Sequence, residues 1–278
     1  MKKIITYAVL AFYLVGCASN SHRIRTQTSE ERTSYDSEEV SLGKQIHEYI
    51  VSKMPVYDNA EISKYVRDFG KRLTQFAKRK DLPYQFIILR DDRIYATSAP
   101  GGYVYITTGF LSFLNNEAEL AAVLAHEVSE LQWKDPRLSR TKALMEKMIA
   151  SSAAVAAVFG NAGALVILSM IGVYAVMDRG SSQEKRLYKA DKLALHLVTE
   201  AGEDPQGMID LSERLLNASS QELMYLYDYY QTRPMTEARL KKLEDEFKSL
   251  PLGWKTFYTN YRPYLHMTES LRVPVATS

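Results

Sequence analysis

Apolar and polar positions change character several times along the chain. A short apolar run, Ile4 to Val15, follows the basic start Met1-Lys2-Lys3 and ends at Leu14-Val15-Gly16-Cys17. A run of that length is too short to span a bilayer and fits the apolar region of an export signal over residues 1–16. Residues 18–41 are polar, rich in Ser, Thr, Glu and Arg. Such a composition cannot bury a core, so it predicts a flexible tether with an r.m.s. reach of roughly 25–30 Å. From Leu42 the pattern becomes amphipathic. Ile46, Tyr49 and Ile50, then Ile62, Val66, Phe69, Leu73 and Phe76, recur at helical spacing and predict two helices.

Tyr84 to Leu89 reads as a strand. Pro100-Gly101-Gly102 turns into Tyr103-Val104-Tyr105-Ile106-Thr107-Thr108, whose aromatic and β-branched residues predict a second strand. Asn116 stands as an N-cap before a helix from about Glu117 to Trp133. Met148 to Met177 contains no charged residue, but Gly160-Asn161-Ala162-Gly163 divides it into halves too short to span a membrane alone. An apolar helical hairpin is the reading that fits. Residues 183–250 are helical in pattern, broken at Gly202 and Pro205, and residues 251–278 form an aromatic-rich tail without clear period. These elements predict an α+β fold, mainly helical with a small sheet, whose principal domain covers residues 42–250.

Composition adds little until the cysteine is considered. Apolar content of 46%, charged content of 24% and a net charge of +2 suit a globular domain and give no case for nucleic acid. The single cysteine, Cys17, lies where small residues before it resemble a bacterial lipobox. That resemblance implies cleavage ahead of Cys17 and its lipidation, which makes the membrane a partner through the anchor. Ala18 after the cysteine favours the outer membrane, facing the periplasm.

The candidate chemistry centres on His126-Glu127-Val128-Ser129-Glu130. In an H-E-x-x-H helix two histidines one turn apart grip zinc, and the Glu between them acts as general base on bound water. Here Glu130 stands at the second His position. The stretches Ala99 to Leu111 and Asn116 to Glu127, then Ala190 to Leu195, Ala201 to Pro205 and Thr232 to Leu240, occur in order. Together they resemble the gluzincin zinc-metallopeptidases of HtpX, BepA and CAAX prenyl protease type, over roughly residues 42–245. The resemblance implies a zincin-like fold, with the apolar hairpin of residues 148–177 as an insertion near the substrate cleft. It also implies zinc as cofactor and extended protein or peptide as ligand, with no small-molecule cofactor.

The same resemblance shows where this chain departs. The family's third zinc ligand, a Glu four residues before Asp191, is Leu187 here, and its further His is Asp135. Its His before Pro is Arg233. Of the catalytic set His126, Glu127 and Asp191 remain, with Arg233 as a stand-in that either stabilises an oxyanion, forms a surface ion pair or partners a leftover Glu127. A catalytic zinc needs three protein ligands, and Leu187 has no lone pair to offer. The expected metal set is therefore His126 and Glu130, with Glu184, about 60° round the helix from Leu187, as the one rescue route. Zinc bound weakly or not at all is the expectation. The presumed substrate edge is Gly102, Tyr103, Val104, Tyr105 and Ile106, where main-chain pairing with an extended chain does not depend on metal. Three functions stand open: an inactive envelope lipoprotein that binds extended or misfolded proteins, an active endopeptidase in envelope quality control with an altered ligand set, and a structural envelope lipoprotein that uses its tyrosines and apolar hairpin for assembly.

Overall fold

The computed structural model describes residues 29–132, 181–252, 257 and 260–272. The signal segment, Cys17, Asp135 and the apolar stretch of residues 148–177 lie outside the described residues. The chain divides into two compact units, Met1–Tyr35 and Asp36–Ser278. In the first, residues 29–35 are helical and begin α1 (Ser29–Lys53); everything that follows concerns the second.

The architecture is α+β. After α1 come α2 (Ala60–Thr74), β1 (Gln85–Leu89), β2 (Ala96–Ala99), a 3-10 turn at Pro100–Gly102, β3 (Tyr103–Thr107), α3 (Thr108–Phe113) and α4 (Glu117–Glu130). The C-terminal half holds α5 (Ser181–Glu200), α6 (Gln206–Leu216), α7 (Ser220–Thr232), α8 (Glu237–Lys248) and α9 (Tyr261–Met267). Among the described residues no helix is long and apolar enough to cross a membrane.

The three strands run in the order β1-β3-β2, with β1 parallel and β2 antiparallel to β3. Thus β3 is the central strand. Its residues Tyr103 to Thr107 are all buried, which its aromatic and β-branched side chains favour. This corrects the expectation that Tyr103–Thr108 is a substrate edge. Val104 and its neighbours bond to strands on both sides, so no further chain can add there. The edges belong to β1, whose outer side is bonded by the Pro55–Tyr57 segment, and to β2, with whose outer side no strand pairs among the described residues. Ala-Thr-Ser-Ala carries no bulky β-forming residue, and its strand character comes from the β3 ladder.

Helix α4 lies at the centre. Asn116 caps it, its side chain accepting from the Glu119 amide at 2.9 Å. Every residue from Glu117 to Ser129 is buried, because α2, α5, α6 and the sheet cover α4 on all sides. Close approach fixes one neighbour: a Cβ on Gly207 would lie 2.4 Å from the Ala118 backbone, so α6 can meet α4 only through glycine. Gly101 and Gly102, at φ 77° and 94°, take the left-handed conformation that turns the chain into β3.

Two sequence expectations change at the ends of the chain. Residues 29–41 were expected as coil, but they are helical, and within the second unit the helix is anchored at Glu39. This residue is buried against Arg79, whose Nη1 and Nη2 donate to its carboxylate at 3.1 and 2.8 Å. The same Arg79 donates to the Leu131 carbonyl at 3.3 Å, tying α1 to the end of α4. The aromatic tail is likewise partly packed: Tyr264 of α9 is fully buried and donates to the Leu111 carbonyl at 2.7 Å.

Gly207→Ala is expected to destabilise the domain by about 2 kcal/mol through overpacking against Ala118, read as a lower urea midpoint at unchanged slope. Glu39→Ala leaves Arg79 buried without its charge partner and is expected to cost about 3 kcal/mol by the same measurement.

Candidate metal centre

Three elements bring the motif residues together. Helix α4 supplies His126, Glu127 and Glu130; the i, i+4 spacing of His126 and Glu130 puts them on one face. Helix α5 supplies Arg186, Leu187 and Asp191, the latter two again one turn apart. The junction of α7 and α8 supplies Arg233 and Arg239. Pro234 disfavours helix at the residue before it, so α7 stops at Thr232 and Arg233 leaves the helix at φ −137°, ψ 64°. Thr236 then caps α8 by accepting from the Arg239 amide at 3.2 Å, which sets Arg239 in the first turn facing α5.

The retained pair is intact. His126 Nδ1 lies 2.9 Å from Asp191 Oδ1, and an ionised carboxylate only accepts, so Nδ1 carries the proton and donates. This arrangement orients the ring as a metal-binding histidine is oriented, leaving Nε2 buried and without a hydrogen-bond partner among the described residues. Burial opposes the charge on Asp191, yet the Arg239 guanidinium and His126 hold its carboxyl well below the usual carboxylate range. Arg239 reaches it with two bonds, Nε to Oδ2 at 2.7 Å and Nη2 to Oδ1 at 2.8 Å. Such forked pairs are the strong class of charge-assisted hydrogen bond.

The rest of the centre is held by arginine. Glu127 is 1% exposed at its side chain, and its Oε2 accepts from Arg233 Nη2 at 2.7 Å. Burial pushes the Glu127 carboxyl up, and the Arg233 guanidinium opposes that shift. The Arg233 side chain is only 6% exposed, so the contact is a core ion pair and the surface-pair reading of Arg233 does not hold. Glu130 Oε2 lies 3.6 Å from Arg186 Nε. Leu187 is buried where the third ligand was expected. Glu184 does not rescue the set: it is exposed and accepts a bond from the Tyr188 hydroxyl.

These residues were tested against the zinc that the motif implies. His126 Nε2 fits, being buried, unbonded and fixed by Asp191. The others do not. Glu127 and Glu130 face guanidiniums, and Leu187 gives no donor. Among the described residues no group of three or more His, Cys, Asp or Glu side chains is placed to hold a metal ion. The donor set among the described residues does not complete a catalytic site.

Sequence reasoning missed Arg186 and Arg239, which had no assigned role. A signal was available, since a buried acid that loses its metal needs another cation, and each arginine stands near a motif position. Residues Gly102 to Ile106 are not brought to the centre as an edge; of the two edge strands it is β2 that packs on α4, with the Ser98 side chain bonded to Glu127.

Comparison with known proteins agrees with this layout. The "Beta-barrel assembly-enhancing protease" of Escherichia coli K12 is 24% identical over 260 residues, 86% of this chain and 51% of that protein. The "Putative beta-barrel assembly-enhancing protease" of Vibrio cholerae is 26% identical over 226 residues, 77% of this chain and 45% of that protein. The "Mitochondrial metalloendopeptidase OMA1" of Schizosaccharomyces pombe is 28% identical over 201 residues, 71% of this chain and 56% of that protein. The chain spans about half the length of the curated relatives it matches. The family profile of peptidase family M48 matches residues 61–247, from the start of α2 to the end of α8 and across both motif helices, and the chain belongs to that family.

Proposed function

We propose that this M48 domain does not cleave peptide bonds and instead holds extended or misfolded proteins of the bacterial cell envelope, tethered to the outer membrane through a lipidated Cys17. The observation that carries this reading is the Arg233–Glu127 pair. In the family's chemistry the Glu of the motif must accept a proton from a metal-activated water. A Glu127 carboxylate bonded to a buried guanidinium at 2.7 Å is already engaged.

Binding does not need that chemistry. The Thr107 amide bonds to the Tyr95 carbonyl, and antiparallel alternation from that pair turns the main-chain groups of Ala96 and Ser98 outward. An extended chain added at β2 would pair with those groups and be held without metal. The relatives named for enhancing β-barrel assembly and the lipobox-like leader both support an envelope setting for clients of this kind. The intact His126–Asp191 pair favours one alternative, an active endopeptidase whose ligand set is completed from elsewhere.

Binding of an unfolded outer-membrane protein to the purified full chain, followed by fluorescence anisotropy, separates the two. The expected outcome is retained affinity in chelator, no cleavage over hours, and at least a roughly tenfold loss of affinity in Ala96→Pro, which removes an outward N–H at the first residue of β2. A melting curve of the variant checks that its fold is unchanged. Cleavage of the client that stops on adding chelator would establish the alternative.

A further inference from the structure

The centre contains acidic side chains and guanidiniums in matched pairs: Glu127 with Arg233, Asp191 with Arg239, Glu130 with Arg186. Both members of the first two pairs are at most 8% exposed at the side chain. A metal held from α4 and α5 would join two helices. The arginines join more. Arg186 links α5 to α4, Arg239 links α8 to α5, and Arg233 links the α7–α8 junction to α4. His126 closes the set by donating to the carboxylate that Arg239 also holds.

We propose that these guanidiniums have taken over a metal's cross-linking role, so that Glu127 serves as the structural counter-ion that allows Arg233 to be buried. The distinction from a catalytic Glu is physical. A general base in an open cleft contributes to the reaction and can become Gln without harm to the fold. Glu127 is buried on every side, and Arg233 cannot discharge by losing its proton. Removing the carboxylate leaves a bare cation in the core, whereas removing both charges leaves only a neutral pair to pack. Breaking one side of a buried pair is therefore the damaging event, and deleting both sides is not.

The test is a double-mutant cycle read by thermal melting of the full chain without any client, so its outcome is independent of binding at β2. Glu127→Gln and Arg233→Gln are each expected to lower Tm by roughly 10 °C, and the double variant to recover to within a few degrees of wild type. If a single variant yields no folded protein, a folded double variant still demonstrates the coupling. A Glu127→Gln protein that melts with wild type overturns the proposal, as does a double variant whose loss equals the sum of the singles or that fails to fold.

Discussion

A guanidinium buried in a protein keeps its charge, and the structure around the motif is arranged to satisfy that constraint. Arg233 enters the core because Pro234 ends α7 one residue earlier, and it survives there because Glu127 meets it at 2.7 Å. That contact fixes the α7–α8 junction against α4. Thr236 can then start α8 with Arg239 directed at Asp191, and Asp191 in turn orients His126. Were Glu127 absent, the first link of this chain would carry an uncompensated charge, and the elements it joins would lose their common fixed point.

On the proposed reading, the two motif helices of an M48 domain are kept while the centre between them is refilled. Helices α4 and α5 still lie side by side, and the His126–Asp191 bond still prepares Nε2 as a donor. The other motif positions hold Leu187, and Glu127 and Glu130 each face a guanidinium, in place of a completed ligand set. On the proposed reading the sheet keeps its use without the chemistry, since hydrogen bonding along β2 depends on main-chain geometry alone. Strand addition at β2 would use main-chain groups, whereas β2 touches Glu127 through the Ser98 side chain.

Much of this was legible from the chain. The amphipathic spacing of Ile62, Val66, Phe69 and Leu73 gave α2, Asn116 gave the start of α4, and Gly202 with Pro205 gave the break between α5 and α6. The degenerate motif was visible because metal ligation tolerates few residue types. Three things were hidden for physical reasons. Strand β2 is short and built from small residues, so neither period nor propensity marks it, and without it β3 looked like an edge. The polar segment around Glu39 reads as tether because Glu39 is held by residues far along the chain, Arg79 and the Gly101 amide. Arg186 and Arg239 look like surface charges in sequence, and their partners become apparent only when α4, α5 and α8 are placed together.

Metal content of the purified full chain, determined by elemental mass spectrometry after equilibration with excess zinc and desalting, tests the arginine-for-metal account most directly. The account predicts substoichiometric zinc, the same in wild type and His126→Ala, and a melting temperature unmoved by chelator. One tightly held zinc per chain, lost in His126→Ala and by chelation, would contradict it.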